Sequence, residues 1–164
     1  MGWCRINVIV VSKNEVFMMR ILVDGDACPL KEKICRIGIE YDLEVLIFIS
    51  VAHWSFNKVE ARYITVDNNY QEVDIKIVNE VEKNDIVITN DYGLAALILK
   101  KDAYVLSNYG RIFTEERINY LLSKRYFNAK MRRQGKYLSG PGKFGDRDRE
   151  DFTSSLISLI ADFK

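Results

Sequence analysis

The 164-residue chain has little of several things, and each shortage removes a class of protein. Three cysteines at irregular spacing, Cys4, Cys28 and Cys35, give neither a disulfide framework nor a zinc knuckle. Two prolines and nine glycines exclude collagen-like and low-complexity chains. No apolar run approaches the roughly 20 residues needed to span a bilayer. There is one histidine, His53, so a histidine-rich metal centre is excluded. No GxGxxG, P-loop or GxSxG pattern occurs, which leaves dinucleotide sites, Walker-type NTPases and α/β-hydrolases without support. What is present is 48% apolar and 12% aromatic residues, enough for a packed core in a single cytoplasmic domain.

The net charge of +1 conceals an asymmetry. Lys100 to Arg149 holds 13 Lys and Arg against 5 Asp and Glu, whereas the remainder holds 11 against 18. A near-neutral chain divided in this way can carry an acidic site and a basic, polyanion-facing surface together.

Apolar β-rich runs alternate with helical periodicity. Strands are expected at 20–24, 43–49, 62–66, 85–89 and 103–106, and helices at 29–41, 70–81, 91–99, 114–127 and 148–163. Lys130 to Gly145 reads as a Gly- and Lys/Arg-rich loop. The alternation predicts an α/β fold, a mainly parallel sheet covered on both faces, with its site outside the C-terminal strand ends. For residues 1–18 we expect an N-terminal extension upstream of a start at Met18 or Met19, ahead of a single domain over 19–164. A signal-peptide core and an added edge strand are the alternatives for the apolar run Ile6 to Val11.

The strand ends are rich in carboxylates. Asp24 and Asp26 follow the first strand of the domain, Asp91 follows the fourth, and Asp74 opens the helix after the third. Crowded carboxylates repel unless protons or cations neutralise them, and Mg²⁺ or Mn²⁺ suits a site of oxygen donors alone. Such an ion can activate water against a phosphodiester. Asp91 equally suits a helix cap, and Asp74 a solvated first-turn residue. Ser50 and His53 follow the second strand and are candidate substrate contacts, while Cys28 reads as packing. The cations Lys130, Arg132 and Arg133, with Tyr126 and Phe127 nearby, suit a phosphate backbone with stacked bases.

Three separated motifs in this order resemble the bacterial YaiI/YqxD family. They are Val23-Asp24-Gly25-Asp26-Ala27-Cys28-Pro29, Ile88-Thr89-Asn90-Asp91-Tyr92-Gly93-Leu94-Ala95, and Ala129-Lys130-Met131-Arg132-Arg133 followed by Gly140-Pro141 and Asp146-Arg147-Asp148-Arg149. The resemblance runs from about Met19 to the C-terminus. That family is regarded as related to PIN domains, so the resemblance implies a three-layer α/β/α sandwich and a Mg²⁺- or Mn²⁺-dependent ribonuclease. It also implies that Asp24, Asp74 and Asp91 are acidic site positions, with Asp146 or Asp148 as candidates for a fourth.

The expectation is therefore a metal-dependent nuclease acting on RNA. Asp24, Asp74 and Asp91 would hold the ion with Asp26 assisting, and Lys130, Arg132 and Arg133 would hold the backbone. Two alternatives stand beside it. One is a non-catalytic RNA- or partner-binding module. The other is a haloacid-dehalogenase-type phosphohydrolase with Asp24 as nucleophile, although Ala27-Cys28 stand where its motif has threonine.

Overall fold

The computed structural model describes residues 9–10, 16–17, 19–53, 61–67, 72–135 and 142–163. Near the N-terminus, β1 (Ile9–Val10) and β2 (Val16–Phe17) form a small antiparallel pair of their own. The domain then runs β3 (Arg20–Asp24), α1 (Lys31–Tyr41), β4 (Glu44–Ser50), a 3₁₀ turn (Val51–His53) and β5 (Arg62–Val66). It continues through α2 (Glu72–Glu80), β6 (Ile86–Ile88), α3 (Tyr92–Leu99), β7 (Tyr104–Leu106), β8 (Ile112–Phe113), α4 (Glu115–Arg133) and α5 (Asp146–Ala161).

The six-stranded sheet has the order β5-β4-β3-β6-β7-β8, parallel throughout except for β8, which pairs antiparallel with β7. Period-two alternation divides the core between its faces. Ile21, Val23, Val45, Ile47, Ile49, Ile86 and Ile88 pack with Ile34 and Ile37 of α1 and with Phe152, Leu156 and Ile160 of α5. Leu22, Leu46, Phe48, Val87 and Val105 point to the other face, against Val73 and Ile77 of α2, Leu94 and Ile98 of α3, and Ile118 of α4. This is a three-layer α/β/α fold, as the alternating sequence pattern predicts. Among the described residues no helix is long and apolar enough to cross a membrane.

From residue 19 onward, two elements differ most from the sequence reading. Strand β8 was not anticipated, because two residues carry no periodicity to detect. Helix α4 runs to Arg133 instead of ending near Phe127, so Lys130, Arg132 and Arg133 stand on a helix and not in a loop. The segment Asn128 to Arg133 contains good helix formers and no breaker. The chain turns only at Gln134 and Gly135, where Gly135 takes φ +76°. The basic last turn also matches the negative end of the helix dipole.

The opposite end of the sheet is held by a buried charge pair. Asp85 is 0% exposed, and its carboxylate accepts from Arg20 Nη2 at 2.7 Å, Arg20 Nε at 3.3 Å, the Arg20 backbone N–H at 3.1 Å and the Glu82 N–H at 2.8 Å. Burial pushes its pKa up, while the arginine and the N–H donors pull it down. The pair joins the N-terminal ends of β3 and β6, far from the strand ends that carry the site.

Candidate active site

From β3 the chain moves outward through β4 to β5, then returns to place β6 and β7 on the other side of β3. The strand order therefore reverses between β3 and β6, and a crevice opens outside their C-terminal ends. Asp24 ends β3, and Asp91 begins α3 just beyond β6. The cleft between them has a volume of about 1270 Å³ and is lined by Asp24, Asp26, Asp74 and Asp91 together with Ser50, Asn90 and Asn108. Four carboxylates separated by up to 67 positions in sequence thus face one cavity.

Each is placed by a local device. Asp24 accepts from the Thr89 hydroxyl at 2.9 Å, and that same oxygen accepts the Asp91 N–H at 3.0 Å, so Thr89 ties the two acidic loops together. Asp91 caps α3, accepting the Leu94 N–H at 2.9 Å. Asp91 therefore caps the helix and also lines the cleft. Asp26 accepts the Ser50 N–H at 2.9 Å and braces the β4 end, so Ser50 contributes backbone to the site architecture. Asp74 sits in the first turn of α2, where the helix dipole favours its charge. Between Asp24 and Asp26 lies Gly25, whose N–H bonds Phe48 O at 2.8 Å. A Cβ there would come within 2.7 Å of the Ile47 and Ile49 side chains and 2.8 Å of Phe48 O, so only glycine lets the two acids flank so tight a turn.

The electrostatics record the crowding. Burial raises the Asp24 pKa, and Asp26 and Asp91 push it further up, while Thr89 and Lys31 pull it down. Asp74 is raised to about 6, by burial first and then by Asp24 and Asp91. Asp74 therefore holds its proton in the folded state at pH values where the unfolded chain has lost it. Stability falls as pH rises from about 4 to about 6 and carries the full penalty above that. We expect Asp74→Asn to flatten this slope and to stabilise the protein at pH 7 by about 1 kcal/mol, a figure discounted because the carboxylate is partly solvated. Chemical denaturation at pH 4.5 and pH 7 measures it, and a variant less stable than wild type at pH 7 would contradict it.

Among the described residues no three His, Cys, Asp or Glu side chains close on one point as a preformed metal cage. The donor set is nonetheless entirely oxygen, and Asp24 and Asp91 each commit one carboxylate oxygen to a hydrogen bond within the described residues. That arrangement suits Mg²⁺ or Mn²⁺ bound through one or two carboxylates, with water and a substrate oxygen completing the shell.

The remaining sequence candidates divide. The His53 backbone belongs to the 3₁₀ turn beside the cleft, and its side chain lies outside the described residues. Arg125 of α4 lines the cleft, while Lys130, Arg132 and Arg133 continue along the same helix beyond it. Asp146 and Asp148 do not line the cleft. Asp148 accepts the Gly145 N–H at 2.8 Å and Asp146 pairs with Arg149, so both serve the start of α5. Cys28 and Cys35 are buried thiols pushed up to about 11 by that burial, as packing residues should be.

Sequence reasoning missed Thr89 and the role of Asn108. Thr89 carries no signal of its own in the sequence: only the pairing of Val23 with Ile88 makes the next residues on each strand, Asp24 and Thr89, neighbours. Asn108 lies two residues beyond β7, and its wiring is not visible in the sequence. Its N–H bonds Asn90 Oδ1 at 2.9 Å and its Nδ2 donates to Ala27 O at 3.3 Å. Its buried Oδ1 has no donor among the described residues.

A family model described as the uncharacterised YaiI/YqxD family matches residues 22–162. A UPF0178 protein of Bacillus cytotoxicus is 43% identical over 145 residues, covering 88% of this chain and 95% of its own length. UPF0178 proteins of Alkaliphilus metalliredigens and Enterococcus faecalis are 42% and 41% identical, covering 87% of this chain in both cases and 92% and 97% of their own lengths. No solved structure matches significantly. By both the family model and these relatives, the chain belongs to the YaiI/YqxD family.

Proposed function

We propose that this protein is a cytoplasmic, divalent-metal-dependent phosphodiesterase acting on nucleic acid, with RNA as the expected substrate. The observation that supports it is the meeting of Asp24, Asp74 and Asp91 in one cleft at the strand-order reversal, where Asp91 raises the Asp24 pKa and both raise that of Asp74. A bound Mg²⁺ or Mn²⁺ would supply a Lewis acid for the phosphate and an activated water. Asp24 and Asp91 would hold the ion, with Asp74 completing the charge. Thr89 fixes the Asp24 carboxylate, and Asp26 fixes the Ser50 loop. Lys130, Arg132 and Arg133 would neutralise neighbouring phosphates and so reduce the repulsion between a polyanion and the acidic floor.

The Asp24-nucleophile alternative is less well supported, because Ala27-Cys28 stand where its motif has threonine and Asp91 alone supplies a carboxylate just after β6. The test of the lead reading is a calorimetric Mn²⁺ titration of the wild-type chain beside an RNA cleavage assay. Saturable binding is expected at pH 7, weakening below about pH 6 as Asp74 takes up its proton. Cleavage should stop in excess chelator and return with Mn²⁺. Cleavage unaffected by chelator would overturn the scheme, and so would the absence of both heat and cleavage.

A further inference from the structure

Helix α4 carries large aromatic side chains on the wrong side for a core. Ile118 is its one fully buried residue, with Leu121 and Leu122 packed beside it. Tyr120, Tyr126 and Phe127 are 64%, 75% and 58% exposed, and no ring contact or hydrogen bond engages them among the described residues. Three open aromatics within eight positions of one helix are a concentration of exposed apolar surface of the kind that marks an interaction site.

Their spacing is ordered. Tyr120, Lys124 and Phe127 stand at i, i+4 and i+7, and so form one row along the helix, turned away from Ile118. Tyr126, Lys130 and Arg133 repeat the same spacing in a second row. Each row therefore mixes aromatic and cationic side chains, and no acidic residue occurs from Ile118 to Gly145. At 19 residues the helix is about 28 Å long, and Arg125 on its inner side lines the carboxylate cleft.

The charge decides between occupants. A second copy docked through α4 would set these cations against their own duplicates. An apolar protein surface would desolvate them without compensation. A polyanion gains from every one of them by counterion release. The aromatics narrow the choice further, because exposed rings stack on unpaired bases, whose faces a duplex conceals.

We propose that α4 is a binding rail for single-stranded nucleic acid, with bases stacked on Tyr120, Tyr126 and Phe127, phosphates on Lys124 and Lys130, and the strand turning around the helix from the Tyr126 row to reach the cleft at Arg125. Only the last clause rests on the phosphodiesterase reading; the rail stands on the helix itself.

The test is fluorescence anisotropy with the full chain in excess chelator, using a labelled single-stranded RNA of mixed sequence and the same strand annealed to its complement. Single strand is expected to bind at least about tenfold more tightly than duplex. Tyr126→Ala and Phe127→Ala should each weaken single-strand binding about tenfold and leave duplex binding unchanged, as loss of one stacked base predicts. Lys130→Gln should instead weaken both and lower the salt slope by about one phosphate's worth. Both aromatic positions are solvent-exposed, and circular dichroism checks that the variants fold. Duplex binding as tight as single strand, aromatic variants that bind like wild type, or a wild-type dimer in sedimentation that Tyr126→Ala dissociates would each overturn the rail. Tight single-strand binding without cleavage on adding Mn²⁺ supports the rail and overturns the phosphodiesterase reading. Metal-dependent cleavage with no strand preference in binding does the reverse.

Discussion

Replacing Asp24 by asparagine is expected to abolish metal-dependent cleavage while leaving the protein folded and at least as stable as before. The two effects have one cause. A carboxylate at the end of a buried strand, beside Asp26 and Asp91, is disfavoured in its charged form by burial first and by repulsion second. Asparagine keeps an acceptor for the Thr89 hydroxyl and removes the charge. It also removes an anionic oxygen that a divalent ion needs. Loss of several kcal/mol of metal-derived stabilisation corresponds to a rate reduction of about 10³-fold. Three measurements check this: RNA cleavage, the Mn²⁺ titration and a thermal melt at pH 7. Mn²⁺ should raise the melting temperature of the wild type and leave that of Asp24→Asn nearly unchanged, because only an ion bound to the folded state stabilises it. A variant that melts well below wild type without metal would show that Asp24 is structural, and one that still cleaves would show that it is not needed.

Replacing Arg20 by methionine should do the opposite, leaving the chemistry intact and weakening the fold. Asp85 is buried, and Arg20 supplies it with a forked pair of side-chain donors and a backbone N–H. Methionine keeps the stem and the backbone donor but leaves the charge without its counter-ion. Breaking one side of a buried pair costs about 3–5 kcal/mol. Against a total stability of about 5–15 kcal/mol, that is a large fraction. The melting temperature should fall by about 10 °C at pH 7 for a chain of this size. Replacing both partners, Arg20→Met with Asp85→Leu, should recover part of the loss, because the unpaired charge is then gone. A single variant that melts within 2–3 °C of wild type would refute this account of the pair, on the same scale of about 2–4 °C per kcal/mol.

These two residues show how differently the two ends of the sheet could be read. Asp24 stood out in sequence, because a carboxylate closing an apolar β-run has no cap to make. Asp85 opens a similar run and gave no comparable signal; its partner is 65 positions away and only strand pairing brings them together. Thr89 lies between these cases, since it belongs to the Ile88-to-Ala95 motif but acquires a role only from the register of β3 against β6. Asp146 and Asp148 enter only through the family resemblance, as candidates for a fourth acidic position, and in the structure both make contacts at the start of α5. Of the basic segment expected as a loop over 130–145, residues 130–133 instead continue α4 and 136–141 lie outside the described residues, because charge is written in residue identity whereas helix length depends on where a breaker falls. The breaker here is Gly135.

The chain itself determined the alternation of strands and helices, the sign of charge on each segment and the identity of the acids at the strand ends. These are local properties, fixed by side-chain type and by periods of two and 3.6. The tertiary structure alone decided which strands are neighbours, and so that the order reverses between β3 and β6 and that Asp24, Asp74 and Asp91 share a cleft. It alone turned Tyr120, Tyr126 and Phe127 outward on a helix that leads to that cleft. Pairing and facing of this kind depend on distances between residues far apart in sequence, which no window along the chain contains.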